Sequence, residues 1–331
     1  MDFKIQKAIL HILGTNGSLP VYSQKELDVS EEVIFNFIGT HVKKVYQDDT
    51  TRVGNFNPDS FLLTQVVQLD ESFVYSSRMI ANHLSDILKQ HSEVPSADVL
   101  IAIVTIDEIP HAAIIKFNYK EGYTHFVDYD ETGTNNKIIL HKVIFASETQ
   151  KNDEGALVNL QDFSLRIVEK AYNIDGEKKY YFSELFLDCK TDLSEKDSIK
   201  VIGEMAKDIT RRYYNDDFEK LSAVKTVIHD SVEGEGNINL DRIANTCFND
   251  SPTIRMEYLQ KVKQAGVPAT IQVSGDSPER KFNKHKIKTD NGIELSIPMD
   301  VYKNKEVIEF ITSADGTISI VLKNINRLIN K

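Results

Sequence analysis

Four strand-type runs follow one another between residues 98 and 146, with no room for a helix between them. Asp98–Asp107 is nearly all apolar, with Val99–Ile106 interrupted only by Thr105. Ala112–Tyr119, Tyr123–Asp130 and Lys137–Ala146 follow. The links are short and rich in turn residues, as in Glu131-Thr-Gly-Thr-Asn-Asn136. Parallel strands need a crossover of a dozen or more residues, usually a helix. These runs therefore predict antiparallel meander pairing and exclude a doubly wound dinucleotide-binding sheet.

Helices are expected around this sheet. Residues 3–13 (FKIQKAILHIL) read as a first strand, with a helix as the competing assignment, and end at the turn signal Gly14-Thr15-Asn16-Gly17. Ser30 followed by Glu31 and Glu32 reads as an N-cap with acids in the first turn. Ile34, Phe37, Ile38, His41, Val42 and Val45 then recur at helical spacing. A second helix is expected over about 71–91, with Phe73, Ile80, Leu84, Ile87 and Leu88 on one stripe. Ser164–Ala171 and Lys179–Leu187 are strand or helix material.

A second region opens near Ser194, where Ser194-Glu195-Lys196-Asp197 resembles a capping box. Ile199, Ile202, Ala206, Ile209 and Tyr213 form a 3-4-3-4 stripe. It lasts about two heptads, which suits packing on a neighbouring helix better than a dimer seam, although a homodimer is compatible with it. Phe218, Leu221, Val224 and Ile228 continue a second helix that ends at Glu233-Gly-Glu-Gly236. Leu240–Phe248 and Thr253–Gln264 read as two short helices with a helix-turn-helix flavour. Ile243, Ala244 and Leu259 would pack together and leave Arg255, Lys261 and Lys263 outside. Two hairpins close the chain. Lys284–Thr289 and Ile293–Ile297 flank Asp290-Asn291-Gly292, and Val307–Thr312 and Thr317–Leu322 flank Ser313–Gly316.

The predicted fold class is α+β. Residues 1–190 form a mixed domain with an antiparallel sheet and flanking helices. Residues 191–331 form a helical region ending in a small antiparallel sheet. At about 150 residues per domain, 331 residues suit two domains. No run approaches the ~20 apolar residues of a membrane-spanning helix. The opening MDFKIQKAILHIL carries charges within its apolar stretch and is not expected to be a signal peptide. Cys189 and Cys247 form neither a disulfide framework nor a zinc pattern, and both are expected as reduced thiols in a cytoplasmic protein.

Charge narrows the partner classes. The chain carries −11, yet residues 280–331 hold ten basic and six acidic side chains, +4. An acidic body repels phosphate at long range, so any polyanion contact must be local. The most basic stretch holds Arg280, Lys281, Lys284, Lys286 and Lys288 with no acid among them. At period two, Lys284, Lys286 and Lys288 share one strand face. Such a row suits backbone tracking along a polyanion and equally protects a sheet edge from aggregation. Arg255, Lys261 and Lys263 are further candidates for DNA contact.

Catalytic patterns are sparse. No phosphate-cradling GxxxxGK[ST] or GxGxxG, no HExxH and no GxSxG occurs. The best metal candidate is the carboxylate pair Asp128 and Asp130, on the face opposite His125. Asp48-Asp49 and Asp216-Asp217 read as surface charge, and Cys189 as a small buried residue. Neither a cofactor nor a metal is implied.

Several segments, in order, resemble the 37-kDa nucleoid-associated protein family of bacteria. They are the opening IQKAILHIL, Phe73–Leu88 with Asp98–Ile103 and Ala112–Tyr119, the segment Tyr181–Cys189, and the closing HKIKTDNGIELSIP with its final hairpin. The resemblance spans essentially the full chain. It implies a cytoplasmic protein on the nucleoid, associated with double-stranded DNA directly or through DNA-bound proteins, with no membrane partner. The expected function is non-enzymatic, low-specificity DNA contact. The alternatives are an adaptor that binds DNA-bound enzymes and, third, a metal-dependent nuclease-type enzyme using Asp128 and Asp130.

Overall fold

The computed structural model describes residues 2–14, 19–130, 133–145, 147, 150–273, 282–313 and 316–327. The chain divides into two compact units, Met1–Ser194 and Glu195–Lys331. The fold is α+β, as expected.

In the first unit the elements run β1 (Phe3–Ile12), α1 (Glu32–Gln47), β2 (Arg52–Phe56), α2 (Phe61–Val67), α3 (Phe73–Gln90), β3 (Ala97–Ile106) and β4 (Ile109–Asn118). Then come β5 (Lys120–Asp130), β6 (Gly133–Ile144), β7 (Glu154–Asn159), β8 (Ser164–Val168), β9 (Tyr172–Ile174) and β10 (Glu177–Lys179). A π-helical turn (Phe182–Leu187) and β11 (Cys189–Thr191) end the unit. Seven strands form one antiparallel sheet in the order β1-β3-β4-β7-β8-β2-β11.

Both faces of that sheet are covered, which explains the continuous apolar run in β3. Leu100, Ala102 and Val104 pack with Ile38, Val42 and Val45 of α1. The alternate residues Val99, Ile101 and Ile103 pack with Ile80, Ala81 and Leu84 of α3. β4 splits the same way, with Ala113 and Ile115 in one cluster and Ala112 and Ile114 in the other.

The meander expectation holds for the antiparallel pairs β3–β4 and β5–β6 and is corrected between β4 and β5. β4 pairs next with β7, while β5 and β6 form a two-stranded ribbon of their own. The reason lies in the side chains. β7 reads Glu-Gly-Ala-Leu-Val-Asn with five of six residues buried, whereas the ribbon is exposed along most of its length. The β3–β4 link is also tighter than expected. Ile106 pairs with Ile109 across Asp107 and Glu108, at φ 46° and 68°, a primed two-residue turn.

The cap of α1 is another correction. The N-cap is Glu31, with no side-chain cap bond. The Ser30 hydroxyl instead donates to Asp28 Oδ1 at 2.6 Å. A local Asx-type turn has captured the group that would have capped the helix.

The second unit contains α4 (Glu195–Tyr213), α5 (Phe218–Glu235), β12 (Asn237–Asn239), α6 (Leu240–Cys247), α7 (Pro252–Gln264) and β13 (Thr270–Gln272). The hairpin β14 (Lys284–Lys288) and β15 (Glu294–Pro298), then α8 (Met299–Lys303), β16 (Ile308–Thr312) and β17 (Ile318–Leu322) complete it. The α4 stripe is buried within the chain at Ile202, Ala206 and Ile209, as packing on a neighbour requires. Asp217 is more than surface charge. Its carboxylate accepts from the backbone N–H groups of Glu219 and Lys220 and caps α5. Gly236, at φ 67°, ends that helix.

The α6–α7 pair differs in two respects. The short strands β12 and β13 pair around it. The buried face of α7 is Tyr258 and Val262, with Leu259 only half-buried. The Tyr258 ring fills the space against Phe248, with centroids 4.9 Å apart, and its larger apolar area takes the inner position.

Candidate nucleic-acid interface

β14 is built by alternation. His285 is buried (1% exposed), Ile287 is half-buried, and Lys284, Lys286 and Lys288 are exposed on the other face. The inward side is held by aromatic packing, with the His285 ring 4.3 Å from Tyr302 and 6.2 Å from Phe218. Burial beside Lys225 pulls the His285 imidazole down to about 4, so it is neutral at physiological pH. The turn closes at Gly292, whose φ of 89° suits glycine.

Lysines from three elements share one groove of about 530 Å³ formed by α4, α5 and β14. Lys207, Lys225, Lys286 and Lys288 line it, and no carboxylate does. The Lys225 ammonium donates to the Lys286 carbonyl at 3.3 Å. Lys288 pairs with Glu294 at 2.9 Å across the hairpin. Among the described residues no ion pair engages Lys207, Lys225, Lys284 or Lys286. On a chain of net charge −11 these cations form a local positive surface. Lys207 and Lys225 were not singled out from sequence. Their one signal is position, since each follows a buried residue of its helix stripe, Ala206 and Val224.

The other candidate cations are placed differently. Arg280 and Lys281 lie outside the described residues. Arg255 donates to Asn245 Oδ1 at 3.1 Å and ties α7 to α6. Lys261 sits 2.8 Å from Asp208 and 3.8 Å from Glu257. Those carboxylates also hold Arg212, at 2.7 Å and 2.8 Å. Lys263 is exposed. None of these α7 residues lines the groove.

Of the two carboxylate candidates, the Asp130 side chain lies outside what the structure describes, and Asp128 is engaged elsewhere. Asp128 pairs with Lys137 across the β5–β6 ribbon. A three-residue cluster that sequence reading missed, His229, Asp230 and Glu233, brings ligand atoms within 4.8 Å of one another. Lys303 lies against it, pairing with Asp230 and approaching His229 Nδ1 at 3.3 Å. An ammonium already supplies the positive charge a metal would bring. Cys189 is half-buried, with its thiol directed to the Ser183 carbonyl at 3.5 Å. Burial pushes it up to about 12, as it does Cys247, so neither is a nucleophile at neutral pH. Among the described residues, no helix is long and apolar enough to cross a membrane.

No curated protein matches the chain. A family model does, that of NA37, nucleoid-associated protein YejK, over residues 9–330. With nearly the whole length matched, the chain belongs to this family of nucleoid-associated proteins.

Proposed function

We propose that this protein contacts double-stranded DNA on the nucleoid with low sequence specificity and without catalysis, through the lysine surface of its second unit. The observation that carries this reading is the gathering of Lys207, Lys225, Lys286 and Lys288 around a groove free of carboxylates, beside Lys284. Lysine is a flexible point charge that holds phosphate without reading base edges. Arg280 and Lys281 precede the same strand and extend the basic run. Lys263 and Arg255 are secondary contacts. Lys261, already neutralised, contributes least. The family's nucleoid association agrees with a DNA partner.

The test is a salt titration of the purified protein on partner-free duplex DNA. Lys284→Ala/Lys286→Ala/Lys288→Ala should flatten the log–log salt slope by about 2 to 3, since each released phosphate contact contributes about 0.9. Incubation of DNA with the protein and Mg²⁺ or Mn²⁺ should leave it intact. Absence of binding at low salt would overturn direct contact and leave the adaptor reading, in which the protein reaches the nucleoid by holding a DNA-bound protein.

A further inference from the structure

The groove between α4, α5 and β14 has two kinds of surface. Its rim carries Lys207, Lys225, Lys286 and Lys288 and no carboxylate. Its floor is aliphatic, built from Ile199, Leu221, Val224, Ile228 and Ile287. Val224 and Ile228 are buried, and Ile199, Leu221 and Ile287 are half-buried. Buried His285 also lines the groove, with its Nδ1 unpartnered among the described residues. Buried polar atoms are normally hydrogen-bonded, so this one leaves a bond for a ligand to fill. Gly203 forms part of the α4 wall, where a Cβ would meet open space, with nothing within 4 Å. Glycine is a poor helix former, and no neighbour requires it here. Its effect is to keep the groove open. A DNA duplex offers phosphates to the rim and nothing apolar to the floor.

We propose that this groove binds a free single-chain anionic amphiphile, an alkyl chain carrying a phosphate head, with the chain on the aliphatic floor and the head among the lysines. The chemistry follows from how the surface is divided. An alkyl chain needs no hydrogen-bond partner and gains by leaving water. A phosphate head meets ammonium groups brought by three elements. Among the described residues only Lys288 of the four is ion-paired, to Glu294. Size argues against a polypeptide. Two turns of helix, a cylinder about 10 Å wide and about 11 Å long, fill roughly 850 Å³. The groove holds about 530 Å³, within the range of small-ligand sites. This site stands apart from the DNA-contact reading, which uses the lysine heads and not the floor.

Calorimetric titration of the full chain with decyl phosphate, below its micelle concentration, tests it. Binding should saturate at one molecule per chain. Each buried methylene is worth roughly fourfold in affinity, so decyl phosphate should bind roughly tenfold tighter than octyl phosphate. Decyl maltoside has the chain without the charge, and inorganic phosphate the charge without the chain. Each should bind more weakly than decyl phosphate. Gly203→Leu should fill the floor and abolish the gain from the longer chain. It places a stronger helix former at an open position, so the melting temperature should not fall. Lys225→Met/Lys286→Met should weaken decyl phosphate and leave decyl maltoside unchanged. Equal affinity for decyl phosphate and decyl maltoside, no gain from octyl to decyl, undiminished binding to Gly203→Leu, or binding only to phosphatidylglycerol vesicles would each overturn the proposal. These readouts contain no DNA, so they stand whatever the duplex titration gives.

Discussion

Lys116 Nζ lies 3.2 Å from Glu154 Oε2, and neither side chain reaches solvent. The two are cross-strand partners on β4 and β7, the junction from which the ribbon departs. Tyr172 donates to the other Glu154 oxygen, and Lys116 also donates to Asn118 Oδ1. Asn118 in turn donates to Asp153 at 2.9 Å. Burial drives the Lys116 ammonium below its ordinary range, and Glu154 opposes that shift. Glu154→Leu alone should cost about 3–5 kcal/mol, because it leaves a buried unpaired ammonium. The double change Lys116→Met/Glu154→Leu should recover most of that loss. Urea unfolding of the two variants checks both statements.

Two buried histidines set an acid limit on stability. Ser23 N–H donates to His11 Nδ1 at 3.0 Å, so the ring proton sits on Nε2, 3.1 Å from Ser77 Oγ. Burial, aided by Arg78, holds His11 at about 4, and His285 stands at a similar value. Between about 4 and 6.5 the unfolded chain binds more protons than the folded one, so stability falls as pH falls through that window. Each histidine accounts for at most about 3 kcal/mol. Unfolding midpoints from pH 7.5 to 4 should drop, and His285→Phe should flatten the second unit's share.

Glu169 acts in the opposite sense. Its carboxyl is 1% exposed, accepts from Ser183 N–H at 2.9 Å and lies 3.5 Å from Arg52. Burial outweighs both partners and raises it to about 7. The folded state therefore binds the extra proton between about 4.5 and 7, and this contribution to stability is lost as pH rises through that range. Glu169→Gln should steepen the rise in stability from pH 5 to 7 and gain up to about 3 kcal/mol at pH 8. A pH series of melting temperatures decides it.

The cap of α5 can be tested singly. Asp217 Oδ1 accepts from Glu219 N at 2.8 Å and Lys220 N at 3.2 Å. Asp217→Ala should cost about 1 kcal/mol, whereas Asp217→Asn should retain most of the cap. Chemical denaturation of the pair separates capping from charge.

Lys261 and Lys284 should behave differently on DNA. Lys261 is held by Asp208 and Glu257, and Lys284 is exposed on β14. Lys284→Ala should reduce the salt slope by about 1, and Lys261→Ala should leave it unchanged. Fluorescence anisotropy across a salt series distinguishes them.

Hydrophobic period and turn chemistry alone determined much of this molecule. The run Val99–Ile106 specified a strand covered on both faces, the 3-4-3-4 stripe of α4 specified a helix packed inside the chain, and Asn291-Gly292 specified a hairpin. These are local properties, set by side-chain spacing and backbone preference within a few residues. Tertiary structure decided the rest, because it depends on which distant groups meet. The Asp28–Ser30 contact is local too, but a serine in an Asx-type turn and a serine that caps a helix look alike in sequence. Spacing in α7 does not tell that Tyr258 will displace Leu259 from the buried face. The release of β5–β6 from the meander depended on β7, thirty-six residues beyond β4, offering β4 a more apolar partner. The lysine surface was half legible. Lys284, Lys286 and Lys288 announce themselves by alternation, but Lys207 and Lys225 join them only through folding, since charge acts through space and three separate elements converge on one groove.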